Sequence, residues 1–237
     1  DWRNLIKPKA IEFDEKEVTP TYGRFIGEPF ERGYGITIGN ALRRILLSSL
    51  PGYAIVAVRI QGVLHEFSTI PGVKEDVTDI ILNLKEVRLR LHEGEQLTAT
   101  LKATGEGMVY ARDITGGPNL EILTPDQPIA TLDKGAVLDM ELVIKEGRGY
   151  VPAERSEEEE EPVGTIRLDA VFSPIKKVNF VVTNARVGQR TDYDRLALEI
   201  WTDGSIAPRD ALTYAARVMR DQMGIFAGAE EEAAAPA

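Results

Sequence analysis

Two histidines, one glycine-rich segment and scattered carboxylates are the residues of this 237-residue chain whose types could do chemistry. His65 sits in the apolar stretch Val63-Leu64-His65-Glu66-Phe67, which reads as a strand and makes its imidazole a packing residue rather than a base. His92 stands beside Glu93 and Gly94 in a turn-like segment, where a solvated ring is the plain reading. A zinc site needs three or four ligands at short spacings, and no third ligand accompanies either histidine. The chain has no cysteine, which excludes disulfides, iron–sulfur clusters and thiolate-bound zinc. No Ser-His-Asp or lysine-based set is spaced as a nucleophile with its base. Gly33-Tyr34-Gly35-Ile36-Thr37-Ile38-Gly39 precedes a helical pattern, as phosphate loops do. Its spacing is Gly-x-Gly-x-x-x-Gly, one residue off the dinucleotide fingerprint, and no convincing acidic residue follows ~20 positions on. A tight turn opening a helix explains these glycines better. No catalytic residue and no cofactor are expected.

What remains is surface, and composition limits what that surface meets. The net charge of −10 argues against broad electrostatic binding to nucleic acid. The excess is local: glutamates at 157–161 and 230–232 read as a solvated loop and an acidic tail, and without them the chain is close to neutral. No apolar run approaches the ~18–20 residues that span a bilayer, and Asp1-Trp2-Arg3-Asn4 lacks the layout of a secretory signal. A cytoplasmic protein without membrane contact is expected.

Period-two patterns dominate the middle of the chain. Val87, Leu89 and Leu91 alternate with polar residues, as do Leu97, Ala99, Leu101 and Ala103, and Gly94 between the two runs predicts a hairpin. Leu138, Met140, Leu142 and Ile144 form another such row, although Val143 interrupts its polar face. Ile166-Leu168-Ala170-Phe172, Val178-Phe180-Val182 and Leu196-Leu198-Ile200 continue the strands, with Pro174 and Gly188 as breaks. Three helices are predicted, near 37–49, 73–85 and 208–226. Pro51-Gly52 stops the first. The second carries Val73, Val77, Ile80, Ile81 and Leu84 on its buried face, with Glu75 and Asp76 in its first turn and Lys85 in its last. Pro208 opens the third, whose stripe is Ala211, Leu212, Ala215, Met219, Met223 and Phe226. After it comes an Ala/Gly/Glu-rich segment, 229–237, that reads as the start of a linker. The class is α+β.

The first helix shows two faces at ~100° per residue. Ile38, Ala41, Leu42, Ile45 and Leu46 gather on one side, and Asn40, Arg43, Arg44 and Leu47 on the other. A leucine between two arginines fits a partner-binding patch, and it fits equally a solvated basic face with one exposed leucine.

Ordered blocks along the chain decide between them. Glu28-Pro29-Phe30-Glu31-Arg32-Gly33-Tyr34-Gly35 continues through Ile36-Thr37-Ile38-Gly39-Asn40-Ala41-Leu42-Arg43-Arg44-Ile45-Leu46-Leu47-Ser48-Ser49. Gly62-Val63-Leu64-His65-Glu66-Phe67, Val73-Lys74-Glu75-Asp76-Val77, Ile81-Leu82-Asn83-Leu84-Lys85, Arg148-Gly149-Tyr150-Val151-Pro152-Ala153 and Gln189-Arg190-Thr191-Asp192 follow. In this order they resemble the bacterial RNA polymerase alpha subunit, from about residue 22 to 226.

The resemblance implies a discontinuous dimerisation domain, 1–50 with 174–228, built of helices on an antiparallel sheet. A mainly-β second domain, 51–173, is inserted between its halves. It implies a homodimer joined through the first and last helices, with Ile38, Leu42, Ile45, Leu46, Leu212, Ala215, Met219, Met223 and Phe226 in the interface. It assigns Asn40, Arg43, Arg44 and Leu47 to the beta subunit, and Lys85 and Leu168 to beta-prime, in a transcribing complex that also holds omega and sigma. The family continues through a linker to a small DNA-binding domain that is absent from this sequence, so no nucleic-acid contact is assigned to these residues. Two other readings stand beside it: the heterodimeric archaeal counterpart, and a small-molecule enzyme using the glycine turn at 33–39.

Overall fold

The computed structural model describes residues 1–14, 18–153 and 160–228. Along the chain run β1 (Glu12–Phe13), β2 (Tyr22–Phe30), α1 (Tyr34–Ser49), β3 (Pro51–Ile60), α2 (Val77–Lys85) and β4 (Leu89–Leu91). Then come β5 (Gln96–Thr104), β6 (Gly107–Tyr110), β7 (Leu120–Ile122), β8 (Pro128–Leu132) and β9 (Val137–Arg148). The last elements are β10 (Tyr150–Val151), β11 (Ile166–Arg167), β12 (Ala170–Val171), β13 (Ile175–Val187), β14 (Arg190–Thr202) and α3 (Pro208–Ala227). The class is α+β, with antiparallel pairing throughout. The chain folds as two compact units, one of Asp1–Leu50 with the chain from Pro174 onward, the other of Pro51–Ser173.

The first unit is a four-stranded sheet, ordered β1-β2-β14-β13, with α1 and α3 packed on it and on each other. The long β13–β14 hairpin turns at Gly188, whose φ of 61° is a left-handed conformation that glycine adopts without strain. Leu42 and Leu46 of α1, Leu198 and Ile200 of β14, and Ala211 and Ala215 of α3 share one core. Helix and sheet approach closely because α1 is glycine-faced: a Cβ on Gly39 would lie 2.7 Å from Phe180 Cδ2 and 2.9 Å from Leu196 Cδ1. The helix begins at Tyr34, three residues before the predicted Thr37, and Gly35 and Gly39 lie in its buried face rather than in a preceding turn. Gly23 gives α3 the same access, since a Cβ there would sit 2.9 Å from Pro208 Cβ.

The second unit is a sheet ordered β11-β3-β9-β5, flanked by α2 and the ribbons β4–β7, β6–β8 and β10–β12. Leu138, Met140, Leu142 and Ile144 of β9 are fully buried, as their alternation requires. The predicted hairpin at Gly94 does not form: β4 pairs with β7, and β5 with β9. Local turn chemistry marked a turn there but could not specify which strands would meet. The 166–172 row is two short strands on different neighbours, β11 on β3 and β12 on β10. Residues 63–67 are loop, and His65 is exposed, so it is not the packed histidine its neighbours suggested. Helix α2 starts at Val77, four residues late. Asp76 is its N-cap, accepting from the Asp79 amide at 2.8 Å, while Glu75 turns away to accept from the Thr131 amide and hydroxyl. His92 is exposed just past β4, its Nε2 3.7 Å from Glu121.

Of the two glutamate runs, 157–159 and 230–232 lie outside the described residues, as does the 229–237 segment.

Candidate subunit-docking surfaces

Helix α1 is held at its N-terminus by a carboxylate from the sheet. Asp194 Oδ2 accepts from the Gly33 amide at 2.9 Å and from the Gly35 amide at 3.0 Å. Asp194 is buried, and it lies in the helix-facing row that Leu196, Leu198 and Ile200 continue. The β14–β2 register shifts between Asp194 and Leu196, as at a bulge that re-aims a side chain. The first amides of a helix are an anion site, and here the anion is the chain's own. The Gly33 and Gly35 amides are therefore not free to receive a phosphate. Sequence reasoning missed Asp194, because the strand read from the alternation began at Leu196.

With its glycine face against the sheet, α1 turns Asn40, Arg43, Arg44 and Leu47 outward. All four are exposed, Leu47 by 37%. Among the described residues neither Arg43 nor Arg44 has an ion-pair partner. Two unpaired guanidiniums around an apolar side chain can hold a carboxylate-bearing apolar segment, since arginine offers a fixed fork of donors. Ser48 donates back to the Arg44 carbonyl at 2.7 Å, within the helix.

The positions assigned to contacts between copies divide. Leu46 and Ala215 are 0% exposed and Leu42 8%, all three in the core of their own unit. Leu46 and Ala215 have no accessible side chain to offer a second copy, whereas Leu42 keeps a small accessible surface. Ile38, Ile45, Leu212 and Met219 are half-buried at the edge of that core. Beyond them the last turns of α3 leave Met223, Ile225 and Phe226 bare, Phe226 by 84%. Ile225 was not among the expected positions, since it lies off the stripe.

In the second unit Lys85 closes α2 and its ammonium lies 3.6 Å from Asp169 Oδ2. Asp169 also accepts from the Ala153 amide at 2.6 Å and from the Tyr150 hydroxyl. The Ala153 bond above all, with Tyr150 and Lys85 adding to it, holds the Asp169 carboxyl below its ordinary range, and burial opposes this only in part. Burial, and then the bond to Asp169, push the Tyr150 hydroxyl up. The block 148–153 is thus tied to Asp169. Leu168 is 3% exposed, its side chain in the unit's core and its amide on the Val56 carbonyl. It offers no side-chain surface to a partner, and the exposed group at this place is the Lys85–Asp169 pair.

The Gln189–Asp192 block forms the end of the β13–β14 hairpin. Arg190 reaches Asp192 with two nitrogens, at 3.2 and 3.3 Å, and stacks on the Tyr193 ring. The 62–67 block presents Leu64 and Phe67 to solvent. Among the described residues no group of three or more His, Asp or Glu is placed to hold a metal ion, and no helix is long and apolar enough to cross a membrane.

Known proteins resemble the chain across both units. Residues 58–173, nearly all of the second unit, match the RNA polymerase Rpb3/RpoA insert domain. The DNA-directed RNA polymerase subunit alpha of Pelobacter propionicus is 58% identical over 233 residues, 98% of this chain and 68% of that protein. The subunit of the same name from Geobacter metallireducens is 57% identical over the same shares. That of Moorella thermoacetica is 57% identical over 210 residues, 89% of this chain and 67% of that protein. Identity this high, running through the first unit, the inserted unit and back into the first, places the chain in the family of bacterial DNA-directed RNA polymerase alpha subunits.

Proposed function

We propose that this chain is a non-catalytic assembly scaffold of the polymerase: two copies pair through the first unit, and the pair recruits the beta and beta-prime subunits in the cytoplasm. The observation that carries the pairing is the bare apolar end of α3, where Met223, Ile225 and Phe226 stand in solvent in the single chain. An apolar patch of this kind marks an interaction site. The half-buried rim of Ile38, Ile45, Leu212 and Met219 completes the surface that a second copy covers, whereas Leu42, Leu46 and Ala215 support it from beneath.

The beta subunit takes the outward face of α1, with Leu47 as apolar anchor and Arg43 and Arg44 as donors beside Asn40. Beta-prime takes the second unit at Lys85 and Asp169, with Leu168 fixing the backbone that carries Asp169. Omega and sigma complete the complex, and no direct nucleic-acid contact is expected from this portion. Light scattering on the isolated chain tests the pairing: the expected mass is about twice 26.1 kDa. A stable single copy at micromolar concentration overturns it.

A further inference from the structure

Ile36, in the first turn of α1, is 60% exposed and has no part in the surfaces drawn so far. At ~100° per residue it falls within about 40° of Asn40, Arg43 and Leu47 around the helix axis. At ~1.5 Å per residue it stands roughly 16 Å from Leu47 along it. The outward face is therefore a strip with an apolar side chain at each end and two unpaired arginines toward one of them. The half-buried Ile38 and Ile45, at the rim between copies, lie on the far side of the helix. The amides of Gly33 and Gly35 are taken by Asp194, that of Tyr34 by the Glu31 carbonyl and that of Thr37 by the Gly33 carbonyl. A partner arriving at this end of α1 thus meets the isoleucine side chain rather than a ring of free donors.

We infer that Ile36 is a second apolar anchor for the beta subunit, extending the docking strip to the N-terminal end of α1. The inference rests on the α1 docking reading proposed above. Its occupant is a segment of the large subunit with two apolar contacts roughly 16 Å apart and carboxylates opposite Arg43 and Arg44. Two anchors separated along the axis fix the direction in which that segment lies, which one anchor cannot do.

The test is titration of purified beta subunit against the full chain carrying Ile36→Ser, Ile36→Leu, Leu47→Ser or Arg44→Ala, with mass and thermal midpoint of each variant measured alongside. Ile36→Ser should weaken capture about tenfold, as loss of one buried anchor does, and Ile36→Leu should restore most of it. Pairing between copies and thermal midpoint should stay as in the unaltered chain. If Ile36→Ser binds beta normally while Leu47→Ser and Arg44→Ala do not, the second anchor is refuted and the docking reading stands. If none of the three weakens capture, the docking reading itself fails. Should Ile36→Ser dissociate the pair, the residue belongs to the contact between copies and the inference is overturned.

Discussion

Asp194 on β14 and Gly35 on α1, 159 residues apart in sequence, are joined by a buried hydrogen bond of 3.0 Å from the glycine amide to the carboxylate. The same oxygen takes the Gly33 amide, so one side chain from late in the chain sets where α1 begins. Replacing Asp194 by Ala strands two amides, one of them buried, at a helix N-terminus. The expected loss is about 1–3 kcal/mol of stability. Asp194→Asn keeps an acceptor oxygen and should lose less. Calorimetry that finds Asp194→Ala as stable as the unaltered chain removes this clamp from the account.

Gly39 sets the separation of α1 from the sheet. Gly39→Val would press branched carbons into the Phe180 ring and Leu196, and overpacking of this kind costs about 1–3 kcal/mol. Denaturant melts should show that loss in the midpoint without a change of slope.

Core and rim in the first unit should respond differently. Leu46→Ala empties a fully enclosed site and should cost about 2–5 kcal/mol. Phe226→Asp removes nothing from the core, so the single copy should keep its fold while the mass falls toward 26.1 kDa. Equal effects of the two substitutions on mass and on stability would contradict the division.

Arg44→Ala should leave fold and pairing intact and weaken capture of the beta subunit, by roughly the 1.5–3 kcal/mol of a hydrogen bond to a charged group. Co-purification of beta at undiminished yield with that variant counts against α1 as its docking face.

Asp169 gives a pH signature. Its carboxyl is depressed, chiefly by the Ala153 amide, then by Tyr150 and Lys85. A depressed carboxyl stabilises the fold while ionised. Its contribution is complete above the unfolded value of ~3.9 and drains as pH falls through the lower folded value. NMR titration should find Asp169 ionising below the exposed carboxylates, and Tyr150→Phe or Lys85→Ala should each move it part of the way back. An Asp169 that titrates with the bulk sinks this reading of the site.

Much of this was legible in the residues. Alternation located β5, β9, β13 and β14, and the 3.6-residue period separated the buried row of α1 from Asn40, Arg43, Arg44 and Leu47. What periodicity could not carry was long-range pairing. Whether β4 meets β5 or β7 depends on residues ~30 positions away, and Gly94 supplies a turn either way. The same limit hid Asp194, whose meaning depends on an amide across the fold. Burial misled at Leu168 and His65 for opposite reasons. An apolar residue matched to a partner contact was core, and a histidine among apolar neighbours was in a solvent-facing loop. Glycine was misjudged too, since Gly35 and Gly39 serve close packing inside a helix rather than a bend before it.

The first unit is assembled from two stretches of chain with the whole of Pro51–Ser173 between them, and this has a consequence for synthesis. A ribosome adding about 5–20 residues per second extrudes α1 many seconds before β13, β14 and Asp194 exist to receive it. The intervening unit, contiguous and with its own core, can finish folding in that interval, while the nascent α1 has only β1 and β2 of its sheet. A chain released early therefore lacks the carboxylate and the strands that order α1, and the outward face of that helix is well formed only in polypeptides whose translation has passed β14.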